Sequence, residues 1–518
     1  MSIKIYRKVL KQIFGIFGVV MFLLPQGVLH SATIPVFPGQ SIQTAINGGT
    51  AGDTVVIFEG TYNEDITVNK LVQLAKPQDA NVVLAGNVTL SGLSSSYVLH
   101  DFTIGMDRTK KITVSNCSDV ILQDLNLASA AGFTVTNTPK LMVLRVNNVG
   151  GTGSSVTDVA KFETKHCRID GTLSLSKSNS ILRQGTYATV SSTQGDCFLL
   201  GGSVSSLTVW DTVKAGAAGT GDSTAVVFQS SVSGLVSGVQ RAWIGYSTIR
   251  NLDIQAGISS SIVGNDFDGK KTNIGNGVHD RAIWLRGAAG QVKILNNVIR
   301  NYGWGGGGGY GGSNGIGVHI EASDKACLIV NNLISGIDWG GYNGYGGWRE
   351  GGVGVRIEGA RSSSNPVVIK SNIFERISQG GVDRKGHAVW GSFANVEMTD
   401  NVVHKYNGWI SGLDWGAAGV VATNTTELAA PVVWEPSTFF KLPANSPLVD
   451  KGPNDARFND FDGTRGDPGI WGGTQFDPEG RTTTKPVVFG FDITPDQILE
   501  GTATQVKLMN IGAVMIEP

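Results

Sequence analysis

Four short segments of this chain line up: Arg281-Ala-Ile-Trp-Leu-Arg286, Gly315-Ile-Gly-Val-His-Ile-Glu321, Gly352-Val-Gly-Val-Arg-Ile-Glu358 and Gly386-His-Ala-Val-Trp-Gly391. Aligned, they place Trp284, His319, Arg356 and Trp390 in one column, and Arg286, Glu321, Glu358 and Ser392 two positions later. As strands on successive coils about 4.8 Å apart, the first column spans about 14 Å, and the second lies on the same face. Glu321 and Glu358 then sit about 5 Å apart, near the separation a retaining glycosidase uses. Their repulsion would raise one pKa, which suits an acid. The other chemistry this grid suggests is β-elimination on a uronate polysaccharide. That reaction needs the substrate carboxylate neutralised, by arginine or by calcium, and a base for the C5 proton. The competing explanation is a set of cross-strand ion pairs with no ligand.

Two glycine-rich loops enter these strands. The first carries Tyr302, Trp304 and Tyr310, and the second carries Trp339, Tyr342, Tyr345 and Trp348. Insertions at the same corner of neighbouring coils project from one side and wall a groove. Aromatic rings with polar handles suit stacking on sugars, whereas flaps folded on one another are the alternative. Gly311-Gly-Ser313-Asn-Gly315 has nucleophile-elbow spacing but lies in a glycine run without a strand-to-helix turn. His166, His279, His387 and His404 lack metal-ligand spacing.

The elements that position these groups are repeats. An apolar strand, an asparagine turn and a second apolar strand recur around Asn297, Asn332, Asn372 and Asn401, spaced 35, 40 and 29 residues apart. The same pattern recurs more loosely at Tyr97–Ile104, Val120–Leu127 and Leu141–Val149. A sandwich gives no reason for one polar residue to return at one corner, whereas a β-solenoid does, because stacked asparagines hydrogen-bond along the ladder. The expected fold is all-β, a parallel β-helix.

Of 518 residues, 71 are glycine and 16% are charged, with a formal net charge of −1. No basic patch supports nucleic-acid binding. Lys4, Arg7, Lys8 and Lys11 precede an apolar run from Ile13 to Leu24 and a small-residue site at Ser31-Ala32, which predicts a secretory signal over 1–32 and a secreted, extracellular or cell-surface chain. No later segment is long and apolar enough to span a bilayer. Cys117, Cys167, Cys197 and Cys327 fit neither a small disulfide scaffold nor a Cys-x-x-Cys metal site, and are expected to be buried core thiols.

Gln40-Ser-Ile-Gln-Thr-Ala-Ile46, Gly52-Asp-Thr-Val-Val-Ile57 and Gly60-Thr-Tyr-Asn-Glu64, followed by Ile66-Thr-Val68, resemble the opening of the right-handed parallel β-helix, pectin-lyase-like family of exported bacterial proteins. The resemblance implies a short helix capping the solenoid at 33–445, and a function among polysaccharide lyases, hydrolases, epimerases, adhesins and surface proteins. For a lyase it implies an acidic ladder that binds calcium and a basic residue as proton acceptor, here Arg356 or His319. Ser446-Pro-Leu-Val-Asp-Lys-Gly452 and Asn459-Asp-Phe-Asp-Gly463 onward are similar to the C-terminal cap, at 446–484, of many such proteins. Asp460, Asp462 and Asp467 offer hard oxygen ligands for calcium, but no glutamate follows at the twelfth loop position, and backbone-bonded aspartates are the alternative. The tail at 485–518 reads as the first two strands of a small sandwich module with too few residues for its own core, so the expectation is either a short β tail that docks on the solenoid or a truncated sandwich module, with surface anchoring or self-assembly as its role. The expected partner is a polysaccharide or cell-surface glycan, which the protein binds and, if it is an enzyme, cleaves as a lyase or hydrolase. The rival expectation is a non-catalytic surface or matrix scaffold.

Overall fold

The computed structural model describes residues 31–489 apart from 108, 128–131, 149–150, 152, 211–222, 239–240, 255–258, 271–278, 287–290, 306–311, 322–325, 339–351, 359–365, 378–385, 392–395 and 405–421, together with 492–494, 507–509 and 512–514. Among these residues the chain winds into a right-handed parallel β-helix. A strand that returns in parallel beside itself through a crossover takes that hand almost without exception.

One wall is a fourteen-stranded parallel sheet running from Ser96–His100 to Ala422–Thr423. Its strands alternate inward and outward side chains, so Val120 and Leu122 are buried while Ile121 between them is partly exposed. At the end of these strands one residue turns the chain through the left-handed region. Asp101, Asp124, Arg145, Asn296, Asn331, Ser371 and Asp400 hold φ between 49° and 63° there. Short polar side chains tolerate this region better than β-branched ones.

The residue after that turn points inward. In the upper coils it is Asn265, Asn297, Asn332, Asn372 and Asn401, all buried. Each Oδ1 from Asn297 upward accepts from both the backbone N–H and the Nδ2 of the asparagine one coil below, at 2.9–3.1 Å. Each Nδ2 also donates to a backbone carbonyl of the preceding coil. The recurring corner asparagine is therefore an internal hydrogen-bonded column, and a single apolar core runs beside it from Val36 to Val403.

The lower end is closed by a helix, Ile42–Gly48, which buries Ile42 and Ile46 in that core. Glu64 caps its start, accepting from Ser41 Oγ at 2.8 Å and from the Ile42 N–H at 2.6 Å. This explains the Gly-Thr-Tyr-x-Glu turn: a carboxylate at a helix N-terminus satisfies otherwise unpaired donors.

The segment expected to cap the upper end lies along the side of the rod. Leu448 and Ile470 pack on Val298, Leu333, Ile373 and Val402 through one apolar cluster, and Phe476 and Val487 pack on Phe228 and Tyr246 through another. Polar contacts follow the same downward path. Asn296 Nδ2 donates to the Ile470 and Gly472 carbonyls, the Asp477 N–H donates to Tyr246 Oη, and Gln229 Nε2 donates to the Gly480 and Thr483 carbonyls. The closing segment thus covers the corner of the upper coils like a strap. Beyond it, Val487–Phe489 pairs antiparallel with Gly512–Val514, and Asp492–Thr494 with Lys507–Met509.

The second wall positions the site. In lower coils it is one long strand such as Arg168–Ser176, with a register shift between Ile169 and Thr172 marking a corner. In upper coils insertions divide that strand, giving Asp266–Asp268 and His279–Arg286, then Leu333–Ser335 and Val353–Glu358. The glycine-rich loops therefore leave from one corner, immediately before the strands that carry the aligned columns.

Candidate functional site

Strand register places Trp284 beside His319, His319 beside Arg356, and Arg356 beside Trp390. Arg286, Glu321 and Glu358 align in the second column. Ile283, Val318, Val355 and Val389, one residue before the first column, are fully buried and hold the strands against the core. The residue before those must be small. A Cβ on Gly354 would lie 2.6 Å from the Ala388 carbonyl oxygen and 2.9 Å from the Phe374 ring.

The columns form a connected belt. Trp284 Nε1 donates to Glu321 Oε2 at 2.8 Å, and the Trp284 and His319 rings are parallel within 5° with centroids 6.0 Å apart. Arg281 and Arg286 place their guanidinium carbons 3.9 and 4.0 Å from the Trp284 ring centroid. Two guanidiniums therefore already lie against this indole, each attracted by the ring quadrupole. Arg286 pairs with Asp253 one coil below, Arg356 pairs with Glu358, and Arg356 also lies 4.9 Å from the Trp390 ring centroid.

The arginines differ in one respect. Arg286 and Arg356 each hold a carboxylate, whereas Arg281 has no carboxylate or hydrogen-bond acceptor for its guanidinium among the described residues, and its Nε is buried without a partner. Burial lowers its pKa, with Glu321 opposing. Glu321 likewise has no guanidinium partner among the described residues and is held by the Trp284 indole. An unpaired cation and an unpaired carboxylate thus share one indole.

His319 is 2% exposed, and its Nε2 lies 3.2 Å from Glu358 Oε2. Burial, reinforced by Arg281, pushes its pKa down to about 4 against the pull of Glu358. Burial would raise Glu358, but Arg356 and His319 outweigh it and hold this carboxylate below its usual range. With His319 neutral and Glu358 ionised, Nε2 carries the proton and Nδ1 is left buried without a partner. His319 Nε2 thus donates to Glu358, and at 2% exposure the ring presents little surface to anything bound outside.

This pair has a pH consequence. A histidine with an unfolded pKa near 6.5 and a folded value near 4 binds more protons when unfolded, so its contribution is intact above about pH 6.5 and is lost as pH falls toward 4. Over that window the wild type is expected to lose roughly 3 kcal/mol. Glu358 adds to the loss at the acid end. Denaturant titrations between pH 7 and 4.5 should show a shallower fall for His319→Gln, and equal slopes would refute the assignment.

Other expected site residues lie elsewhere. Tyr302 is fully buried in the solenoid core and donates from Oη to the Arg250 carbonyl, so it cannot stack on a sugar; the connection after Val298–Arg300 turns its ring inward. Trp304 lies on a two-residue strand antiparallel to Gly312-Ser313, but its side chain, with Tyr310, Trp339, Tyr342, Tyr345, Trp348 and Ser392, is outside the described residues. The aligned columns did not point to Arg281 or Asp253. Arg281 lies three positions before Trp284, off the period-two count, because Ala282 and Ile283 both face inward. Asp253 belongs to a coil whose repeat is harder to recognise.

The aspartates of the strap do not fit a calcium site. Asp460 accepts from the Gly473 and Asp467 N–H groups, Asp467 from the Asp450 N–H, and Asp462 from the Thr464 N–H and hydroxyl. Among the described residues no three acidic, histidine or cysteine side chains are placed to hold a metal ion. Burial raises Asp460 to about 6, with Asp467 and Asp462 adding repulsion. The four cysteines are all buried and are thiols rather than disulfides.

No helix among the described residues is long and apolar enough to cross a membrane. No family model and no curated protein matches the chain. Among solved structures it is similar to a PL6 family polysaccharide lyase from Pseudopedobacter saltans, at 13% identity over 76% of this chain and 92% of that one, with a TM-score of 0.29. It is also similar to pectate lyase Pel9A, at 12% identity over 86% of this chain and 97% of that one, with a TM-score of 0.23. Superposition at these scores is loose, and the fold assignment rests on the strand pairing of the chain itself.

Proposed function

We propose that this is an exported β-helix protein that binds an acidic extracellular polysaccharide along the Trp284 to Trp390 belt and cleaves it by β-elimination. The observation that carries the reading is the Arg281 guanidinium beside the Glu321 carboxylate, neither with an ion-pair partner among the described residues. Arg281 bonds the uronate carboxylate and makes the C5 proton more acidic. Glu321 accepts that proton, the C4–O bond breaks to leave a C4–C5 double bond, and water protonates the departing oxygen. In a retaining hydrolase Glu358, held ionised by Arg356 and His319, could serve only as the nucleophile, which would leave the acid role to Glu321.

The test is incubation with pectate and alginate, following unsaturated-uronate absorbance and reducing ends together. Both should rise in step, and Glu321→Gln should lower the rate at least about 100-fold with the fold intact. Reducing ends without absorbance would assign hydrolysis instead. Neither signal, with no binding, would sink the proposal. A scaffold reading then gains, and one observation favours it: Asp253–Arg286 and Glu358–Arg356 are ion pairs already satisfied within the chain.

A further inference from the structure

Below the belt, the same sheet face changes character. Following the Trp284 column downward through Asp253 and Val236 leads to Thr208, and from Thr208 to Thr89 every residue in register is serine or threonine. The adjacent outward column is likewise serine or threonine from Thr193 to Ser91. Neither stretch contains a charge. Apart from Thr193, whose hydroxyl donates to the Leu175 carbonyl, these hydroxyls have no hydrogen-bond partner among the described residues, and all are at least partly exposed.

The second column ends at Trp210, in register with Gly238. A Cβ on Gly238 would lie 2.5 Å from Trp210 Cε3, so the indole rests against bare backbone while remaining partly exposed. An aromatic platform thus stands at the upper end of the hydroxyl rows, with the coils of Val236 and Asp253 between it and Trp284.

We infer that this face is a binding track for the distal part of a long glycan chain whose reactive end occupies the belt. The inference rests on the proposed function and extends it to substrate length. Hydroxyls can exchange hydrogen bonds with sugar hydroxyls at each coil, and Trp210 can stack on a ring; an uncharged track accepts the chain without competing with Arg281 for its acid groups. At about 4.8 Å per coil the rows run about 29 Å, the span of several linked hexoses. Alignment with the belt along the same sheet face, across two intervening coils, selects a glycan long enough to reach both as the occupant.

The test measures binding of oligogalacturonate and oligoalginate trimers and dodecamers by calorimetry, using the full chain. The dodecamer should bind at least about tenfold more tightly than the trimer. Combining Thr113→Val, Thr134→Val, Thr136→Val and Thr157→Val should remove that advantage and leave trimer affinity unchanged, with Trp210→Ala acting in the same direction. Valine keeps the shape and strand preference of threonine, and a thermal melt checks the fold. Persistence of the advantage in both variants, or equal binding of the two lengths by wild type, would overturn the track. Arg281→Gln separates the two readings. If it changes neither affinity while the valine variant still weakens the dodecamer, the belt assignment falls and the track stands. Failure of wild type to bind any oligomer overturns both.

Discussion

Replacing Asn332 by alanine is expected to destabilise the upper coils by about 3–5 kcal/mol. The side chain donates to the Ile294 and Val330 carbonyls and to Asn372 Oδ1, and accepts from the N–H and Nδ2 of Asn297. Alanine leaves all of these partners in a dry core where water cannot replace the lost bonds. Asn401→Ala should cost less, because Asn401 lies at the top of the column and its side chain makes fewer bonds among the described residues. Chemical denaturation measures the difference. Hydrogen exchange should locate the lost protection in the coils around Asn332, since a solenoid transmits stability between neighbours. Equal, small effects at both positions would show that the column does not support the rod.

Arg281→Gln is expected to weaken polyuronate binding about 10- to 100-fold, the range of a hydrogen bond to a charged group. Arg286→Gln should weaken it less, because Asp253 already engages that guanidinium. Wild-type affinity should fall with added salt, and the Arg281→Gln variant should show a flatter salt dependence. Isothermal titration at two ionic strengths reads both. An Arg281→Gln variant that binds like wild type would remove the acidic-sugar assignment and leave the belt as internal ion pairing.

The column of Trp284, His319, Arg356 and Trp390 was legible because side-chain direction in a strand has a period of two and the repeat sets the register. Burial was harder to read. His319 is outward by period yet nearly inaccessible, and Tyr302 lies in a loop-like sequence yet occupies the core. Arg281 escaped the pattern because two consecutive inward residues, Ala282 and Ile283, interrupt the alternation. The calcium reading of Asp460, Asp462 and Asp467 rested on residue type, whereas the turn directs their oxygens to nearby N–H groups.

By itself, the sequence determined the coil and its vertical neighbours, since one polar residue returning at one corner, followed by alternating apolar positions, leaves a stacked ladder as the arrangement that satisfies both. Only the tertiary structure decided which charges are paired and where the strap lies. Those outcomes depend on distances between groups on different coils, and on apolar patches around Tyr246 and Ile373 that cover or are covered by chain far away in sequence.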